Sequence, residues 1–453
     1  MGLMRLLLVC CLAAVLLGAG TLPFMAWPPS DQPSSFYTGA SDWSASDEGA
    51  HFPCSREWWN VDAVMTLDNG ARWTLTSSFE YERETPACNL FLTLFNLSSG
   101  DSYSLGSYGD PIGTLSFEKN RVNLSYGDSW MQGSYPAYRV HFERRDVTVD
   151  LQFNATTPPK WVADSISGAV LPMGLGSYRY GFIPRCTVSG TMTMGDVTHQ
   201  VTGTGYYEHV WGNWTYSNPL QSGSGVEHTL RAYGQLAGWW LSHRGNTPST
   251  ALGFATESNM FGYDWIWAAF DNGWSLFYGN IPFWVTEGPA FGILYLVTPD
   301  GRYLTFSNID FSYGSMAYAP EYDAYYPTSI KLEARHDEHH VTLDCTMACD
   351  VNTYLDTNLS SSFWQAIYLW ESPGPITGVY RNESGTVHLN GTCEIEPMRQ
   401  ISMLGHNAFT LDVLSPGQGL GADCSMVSHF FDVALRVRCR LLPFPRVHVA
   451  FGS

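Results

Sequence analysis

Apolar and polar residues alternate with a period of two along most of the chain. The segment VDAVMTLDNGARWTLTSSFEYE (61–82) shows the pattern clearly. One predicted face carries Trp73, Leu75, Phe79 and Tyr81, and the other carries Thr74, Thr76, Ser78 and Glu80. Such alternation places successive side chains on opposite faces of a β-strand. The pattern therefore predicts strands that each bury one face.

Turns rich in Asp, Asn and Gly separate these runs. Two of them are Asp68-Asn69-Gly70 and Asp271-Asn272-Gly273, and Asn-Gly accepts the positive φ angles of a tight hairpin. The same arrangement recurs in the segments 138–153, 190–207, 293–307 and 378–395. Long amphipathic helices are not predicted, and the best short helical candidate is Ser361–Trp370. The chain is therefore predicted to be all-β and built from antiparallel hairpins.

The length of the chain and a weak internal repeat indicate two domains. A chain of 453 residues suits two domains of roughly 150–200 residues each. A tryptophan pair followed by a D-N-G turn occurs at 58–70 and again at 265–273. Large antiparallel sheets avoid open edges by closing into barrels. We therefore expect two tandem antiparallel β-barrels, at 51–240 and 241–453, with a seam in the Gly-, Ser- and Asn-rich segment 217–250.

The N-terminus has the pattern of a secretory signal. One arginine precedes an apolar stretch from Leu6 to about Leu17, and small residues follow it. The apolar character continues to Met25, so an uncleaved membrane anchor is the alternative for residues 1–25. Residues 26–50, rich in Pro, Ser, Asp and Gly, are predicted to be a linker. We expect an extracellular or cell-surface protein, with membrane association through residues 1–25 if they are retained.

Cysteines and sequons fit that location. Eight cysteines follow the signal pattern: Cys54, Cys88, Cys186, Cys345, Cys349, Cys393, Cys424 and Cys439. Disulfides are the expected state of an even set in an exported chain, although the sequence does not choose among the pairings. Seven N-x-S/T sequons fit a glycosylated surface.

The amino-acid composition restricts the classes of partner that the protein is expected to bind. The formal net charge of −19 repels phosphate backbones, so nucleic-acid binding is not expected. Aromatic residues make up 15% of the chain and charged residues only 14%, which favours a large core or an aromatic-lined cavity. A metal is not expected, because Cys345-x-x-x-Cys349 could form only half of a zinc site and no second Cys or His pair occurs at zinc-finger spacing. A cofactor is not expected either. The segment RHDEHH (335–340) is predicted to be a solvated hairpin turn.

Ionisable and aromatic residues meet in the segment GTGYYEHVWGNW (203–214). Glu208, His209 and Trp211 lie within four positions, next to Tyr206. Burial among aromatic side chains would raise the pKa of a carboxyl group, as a general acid requires. The alternative is that these side chains only pack beneath a barrel.

Four segments, in order, resemble the carotenoid 1,2-hydratase/AttH-like family. They are 55–65 (SREWWNVDAVM), 203–214, 263–280 (YDWIWAAFDNGWSLFYGN) and 368–394. They correspond to the family's E-W-W-Y start, D-H-x-W-G corner, W-x-W strand with its turn, and late W-E-G element. The resemblance implies two tandem lipocalin-like barrels and a long hydrophobic ligand. In the hydratases, water adds across a C=C bond of a polyene.

The resemblance also implies site residues. His209 and Trp211 correspond to the family's His and Trp, whereas Glu208 replaces its Asp. Tyr278 corresponds to a tyrosine on a later strand, and Asn280 stands where an acid is expected. The implied catalytic residues are Glu208, His209, Trp211 and Tyr278. The candidate ligand-binding residues are Trp58, Trp59, Tyr206, Trp265, Trp267 and Asn280. For the tryptophan pairs at 58–59 and 265/267, packing in a barrel core is the alternative to lining a cavity.

Three functions remain open at this point. The first is binding of an isoprenoid, polyene or lipid with hydratase, isomerase or cyclase chemistry, which needs an acid, a held water and a site that tolerates a carbocation. The second is binding without catalysis, which the amide at Asn280 favours because an amide cannot protonate an alkene. The third is a glycan-binding protein or a glycosidase, which requires two carboxylates about 5–10 Å apart in an open cleft.

Overall fold

The computed structural model describes most of the two predicted barrels. The described residues are 43–83, 86–162, 170–173, 176–213, 263–281, 288–289, 291–306, 308–319, 324–349, 352–356, 366–401, 408–413, 422–427, 436–440 and 446–452. The predicted signal or anchor at 1–25 and the predicted domain boundary at 240/241 lie outside these residues. In the described part of the chain, no helix combines the length and apolar character needed to cross a membrane.

The first sheet contains fourteen described strands. They are β1 (Arg56–Leu67), β2 (Arg72–Glu82), β3 (Ala87–Asn96), β4 (Ser102–Ser104), β5 (Ser107–Pro111), β6 (Leu115–Phe117), β7 (Val122–Tyr126), β8 (Ser129–Ser134), β9 (Ala137–Arg144), β10 (Val147–Ala155), β11 (Lys160–Trp161), β12 (Val170–Met173), β13 (Gly176–Met194) and β14 (Val197–Asn213). The main path runs β4-β3-β2-β1-β14-β13-β10-β9-β8-β7-β6. The first strand therefore pairs with the last, antiparallel and over twelve registered positions. A short 3-10 helix, Ile112–Thr114, precedes β6.

The second sheet contains eleven described strands. They are β15 (Tyr263–Phe270), β16 (Ser275–Ile281), β17 (Gly288–Pro289), β18 (Phe291–Val297), β19 (Tyr303–Phe306), β20 (Asn308–Ala319), β21 (Ala324–His336), β22 (His339–Thr346), β23 (Asn352–Asp356), β24 (Ala366–Asn382) and β25 (Gly385–Ile401). Their path is β17-β20-β21-β22-β24-β25-β15-β16-β18-β19, and again every pair is antiparallel. Four further strands, β26 (Ala408–Val413), β27 (Ala422–Val427), β28 (Arg436–Arg440) and β29 (Arg446–Gly452), form a separate small sheet.

The all-β prediction is confirmed, and its turns are where the sequence placed them. Gly70 and Gly273 adopt φ of 83° and 82°, the left-handed conformation that the two D-N-G turns require. The hairpin at 335–340 is also confirmed, since His336 pairs with His339 across a two-residue turn.

One other prediction is corrected. The candidate helix is strand from Ala366 onward, because this segment pairs with β25 and the ladder overrides a weak local preference; residues 361–365 lie outside the description.

The predicted disulfides are not shown. The six described cysteine side chains carry no disulfide bond, and those of Cys424 and Cys439 lie outside the description. The six are Cys54, Cys88, Cys186, Cys345, Cys349 and Cys393.

The end of the predicted linker packs on the first sheet. Residues 43–50 include the one-turn helix α1 (Ala45–Glu48). Trp43 packs on Trp161 with ring centroids 5.0 Å apart, and the Trp59 indole N–H donates to the Glu48 carbonyl at 3.0 Å. This segment therefore covers part of the interior of the first sheet.

Three hydrophobic clusters result from the curling of the two sheets. One lies inside the first sheet and one inside the second. The third lies between the sheets, where β1, β13 and β14 face β15, β16 and β18. Arg185 joins the two sheets, because its guanidinium donates to the backbone carbonyls of Gly273, Thr298 and Pro299.

Candidate functional site

Strand β14 divides the predicted GYYEHVW corner between two environments. Tyr206 and Val210 belong to the cluster between the sheets, whereas Tyr207 and Trp211 belong to the interior of the first sheet. Because side chains alternate along a strand, Glu208 points between the sheets and His209 points into the interior. Both are nearly inaccessible, at 3% and 0% exposure. The structure therefore does not bring these two predicted catalytic residues to one site.

Four donors surround the Glu208 carboxylate. The indole N–H of Trp58 donates at 2.9 Å and the amide of Asn60 at 2.7 Å, both from β1. The Tyr206 hydroxyl donates at 2.6 Å, and the Tyr180 hydroxyl from β13 also donates. Four donors match the lone pairs of an ionised carboxylate. Glu208 is thus held as a fixed acceptor in an aromatic setting.

Polar residues of the neighbouring strands lie beside Glu208 on the same face of the first sheet. Strand pairing places Asn60 beside Glu208 and Ser78 beside Asn60. In the next row of the same face, Asp62 lies beside Tyr206. Asp62 is 2% exposed, and one of its oxygens accepts from the backbone N–H of Ser77 at 3.2 Å. This face therefore presents two buried carboxyl groups.

The second sheet supplies the opposing wall. Trp265 and Trp267 share one face of β15, and their rings lie 5.6 and 5.7 Å from the Tyr206 ring. Across the pairing with β25, Trp265 lies beside Glu396 and Trp267 beside Glu394. Glu394 is 1% exposed. Aromatic rings and carboxyl groups of both sheets therefore meet at one interface.

The pKa values of these carboxyl groups are displaced upward. Burial raises the pKa of Asp62 well above its usual value, and the nearby Glu208 charge adds to the effect. Burial raises the pKa of Glu394 well above its usual value too, reinforced by Glu371 and then by Asp62. Burial also raises the pKa of Glu208, but hydrogen bonds from Tyr180, Tyr206 and Trp58 oppose it. Asp62 and Glu394 therefore retain protons more readily than Glu208 does.

Several buried polar atoms at this interface find no hydrogen-bond partner among the described residues. They are Asn60 Oδ1, Thr74 Oγ1, Ser78 Oγ, Trp265 Nε1 and Glu394 Oε1. Buried polar groups in native proteins are nearly always paired, so such a group of atoms needs an explanation. A bound molecule with polar groups, or held water, provides one.

The interior face of β14 contains a different cluster. His209 Nε2 lies 2.9 Å from Glu57 Oε1, and His51 Nδ1 lies 3.0 Å from the same oxygen. Trp59 stacks on His209 with centroids 4.6 Å apart, and Trp211 stacks on His51 at 3.9 Å. Trp58 and Trp59, adjacent in sequence, therefore serve opposite faces of the sheet, one at each cluster.

The structure describes the side chain of only one of the two site residues predicted on β16. Tyr278 is fully buried inside the second sheet, on the face opposite to Phe277, which belongs to the intersheet cluster, so it is not brought next to Glu208. The backbone of Asn280 pairs with Asp264 in the β15–β16 ladder, and its side chain lies outside the described part of the structure.

Sequence reasoning missed three carboxyl groups at these clusters. Asp62 is the one charged residue in the apolar run VDAVM, and Glu394 alternates with Glu396 on one face of a strand. Both patterns signal a carboxyl group aimed into a packed layer. Glu57 gave a weaker signal, because its partner His209 is 152 residues away.

An open pocket of about 460 Å³ lies elsewhere, at the hairpin ends of the second sheet. Trp274 and Tyr380 contribute aromatic rings to it, and Asp300 and Arg302 contribute charge. It includes none of the buried carboxyl groups described above. The intersheet cluster is therefore the stronger candidate for chemistry.

Comparison with known proteins shows the fold. No family model matches the sequence, and no curated protein matches it significantly. The structure is similar to that of the "putative AttH" of Nitrosomonas europaea, with a TM-score of 0.50, 16% identity, and coverage of 77% of this chain and 94% of that one. It is also similar to kievitone hydratase from Nectria haematococca, with a TM-score of 0.50, 14% identity, and coverage of 82% and 97%. The chain therefore has the tandem lipocalin-like fold of the AttH-like proteins.

Proposed function

We propose that the protein binds a long hydrophobic molecule, of the isoprenoid, polyene or lipid class, between its two sheets and adds water to a C=C bond there. The observation that carries the proposal is the presence of two buried carboxyl groups, Asp62 and Glu394, one on each of the two facing sheets, whose pKa values burial raises. A protonated carboxyl group in an apolar layer is the acid that an isolated alkene needs.

The first step is protonation of the alkene. Glu394 transfers its proton to the less substituted carbon of the double bond, and positive charge develops on the other carbon. The charges of Glu371 and then of Asp62 raise the pKa of Glu394 beyond the effect of burial. Asp62 therefore helps Glu394 to retain its proton.

The developing cation lies among groups that stabilise positive charge. Glu208 offers a carboxylate fixed by four donors, so it need not reorganise when the charge appears. The rings of Tyr206, Trp265 and Trp267 present π faces to the same layer. These interactions are stronger for the cation than for the neutral alkene, which is the requirement for catalysis.

Water completes the addition. The Ser78 hydroxyl oxygen has no partner among the described residues and lies on the same face as Glu208 and Asp62. The neighbouring Thr76 hydroxyl hydrogen-bonds the Glu394 carboxyl group. A water held there attacks the cation, a C–O bond forms, and the water proton returns to the Glu394 carboxylate. The acid is thus regenerated, and the substrate gains one molecule of water.

The name of kievitone hydratase, a protein of the same fold, agrees with this reaction class. The glycosidase alternative is not favoured, because Glu208 and Asp62 are buried between sheets rather than exposed in a cleft that a polysaccharide could enter. We also propose export, on the signal pattern of residues 1–25. N-terminal sequencing of the protein secreted by a eukaryotic host tests this.

Hydration is tested by incubating the purified protein with a panel of isoprenoids and polyenes in isotope-labelled water. We expect one substrate class to gain one labelled water by mass spectrometry. Glu394→Gln removes the acid and is expected to lower the rate by roughly 100-fold or more. Glu143→Gln, at a largely exposed carboxylate, serves as the matched control and keeps the rate.

Two results would contradict the proposal in different ways. Binding of a panel member without any labelled product would show a non-catalytic binding module. A product formed equally well by Glu394→Gln and Asp62→Asn would show that the intersheet carboxyl groups are not the acid.

A further inference from the structure

The cluster inside the first sheet has the donor set of a metal centre. His51 Nδ1, His209 Nε2 and a Glu57 carboxylate oxygen all lie within 4.8 Å of one another. Glu57 and His209 have fully buried side chains, and the His51 side chain is 24% exposed. Two imidazoles and one carboxylate are a common ligand set for zinc and for other divalent transition metals.

The protons on His209 show why a cation belongs there. His209 Nδ1 lies 2.8 Å from the carbonyl oxygen of Asp47, which can only accept, so Nδ1 carries a proton. In a neutral imidazole, Nε2 then has a lone pair, and this lone pair faces a carboxylate oxygen at 2.9 Å. Two lone pairs repel at that distance. A cation between the two atoms, either a second proton or a metal ion, removes the conflict.

The three side chains converge on one point. Glu57 Oε1 lies 2.9 Å from His209 Nε2 and 3.0 Å from His51 Nδ1, and it also accepts from the His51 backbone N–H at 2.9 Å. A divalent cation at this point can bind all three side chains at once.

The surroundings fix the three groups in the way that metal ligands are usually fixed. The His209 Nδ1–H to carbonyl bond sets the tautomer that leaves Nε2 free to bind a metal. The other Glu57 oxygen accepts from the Tyr81 hydroxyl at 2.7 Å. Stacking on Trp59 and Trp211 holds the planes of the two imidazoles. The exposed side of His51 gives an ion a route to the site.

We infer that His51, Glu57 and His209 form a binding site for one divalent transition metal ion of the zinc class. This inference departs from the expectation of no metal drawn from the sequence, and it goes beyond the proposed intersheet chemistry. The site lies on the opposite face of β14 from Glu208, so it is separate from the proposed acid.

Metal binding is tested on the purified, chelator-treated protein with Zn²⁺ and a competing chromophoric chelator. We expect roughly one tight site per chain. His51→Ala removes a ligand at a partly exposed position and is expected to weaken Zn²⁺ binding by about 100-fold. His141→Ala is the matched control, because His141 lies beside the carboxylates of Asp150 and Glu143 outside the barrel. It should bind Zn²⁺ as the parent does.

Co²⁺ provides a second readout that separates this site from the free thiols. A Co²⁺ ion with nitrogen and oxygen ligands gives visible d–d bands without thiolate charge-transfer absorption. We expect those bands in the parent and their loss in both His51→Ala and Glu57→Gln, with far-UV circular dichroism confirming that His51→Ala is folded. Thiolate absorption, no tight binding, or equal Zn²⁺ binding by parent and His51→Ala would each overturn the inference.

Discussion

The two faces of the first sheet place their buried carboxyl groups in different surroundings. On the interior face, Glu57 lies against two imidazoles and accepts from the Tyr81 hydroxyl. Burial opposes the charge on Glu57, but His209 and His51 hold its pKa below the usual value. On the intersheet face, Asp62, and Glu394 of the second sheet, have no basic side chain as a partner among the described residues, and their pKa values rise.

This difference shows that adjacent residues can take part in unrelated chemistry. Glu208 and His209 are neighbours in sequence, yet each contributes to a separate cluster because the strand alternates. One face favours a bound cation and a permanent negative charge. The other combines the hydrogen-bonded Glu208 carboxylate with Asp62 and Glu394, whose raised pKa values suit proton donation to an apolar ligand.

The largest expected effect comes from the adjacent tryptophans. Trp58→Ala and Trp59→Ala should each lower the free energy of unfolding by roughly 3–5 kcal/mol, because both indoles are buried. Urea unfolding followed by circular dichroism measures this loss. Trp58→Ala should also weaken binding of a polyene to the intersheet site, whereas Trp59→Ala should not when assayed where it is folded. Weaker polyene binding by Trp59→Ala than by Trp58→Ala would contradict the placement of the polyene site on the intersheet face.

The free energy of unfolding should depend on pH because the carboxyl groups of Asp62 and Glu394 titrate differently in the folded and unfolded states. Glu394 and Asp62 have raised pKa values in the folded protein, so between their ordinary values and the raised ones the folded state binds more protons than the unfolded state. The free energy of unfolding should therefore be highest near pH 4.5 and fall as pH rises, by up to about 1.4 kcal/mol per pH unit for each extra proton.

Glu394→Gln should flatten this decline, because glutamine does not titrate. Urea unfolding at several pH values between 4.5 and 8 measures the slope, with Glu143→Gln as the control that keeps it. Equal slopes in Glu394→Gln and the parent would show that the pair ionises without cost to the fold.

The smallest effect distinguishes two adjacent serines. The Ser77 hydroxyl donates to the Val61 carbonyl at 2.6 Å, whereas the Ser78 hydroxyl is buried between the sheets without a partner among the described residues. Ser77→Ala should destabilise the unliganded protein by about 1 kcal/mol, and Ser78→Ala should be neutral or stabilising by a similar amount. Thermal unfolding of the two variants provides the measurement. A greater loss for Ser78→Ala would show that its hydroxyl is satisfied in solution.

The alternation of apolar and polar residues was sufficient to predict where the strands lie and which residues share a face. Alternation and the D-N-G turns predicted the β1–β2 and β15–β16 hairpins, and the opposite orientation of Trp58 and Trp59 follows from the same period. The candidate helix at 361–370 failed because strand pairing with β25 overrode local preference. The cysteine count predicted disulfides but carried no information on which side chains meet, and none is shown among the described cysteines.

What the sequence determined by itself is the class of the fold, its hairpins and which residues share a face, because these depend on neighbours within a few positions. The tertiary structure alone decided which face of each strand meets the other sheet. Glu208 receives the Asn60 amide across 148 residues and His209 meets Glu57 across 152. Contacts over such separations depend on the curvature and packing of whole sheets, and no local pattern of residues encodes them.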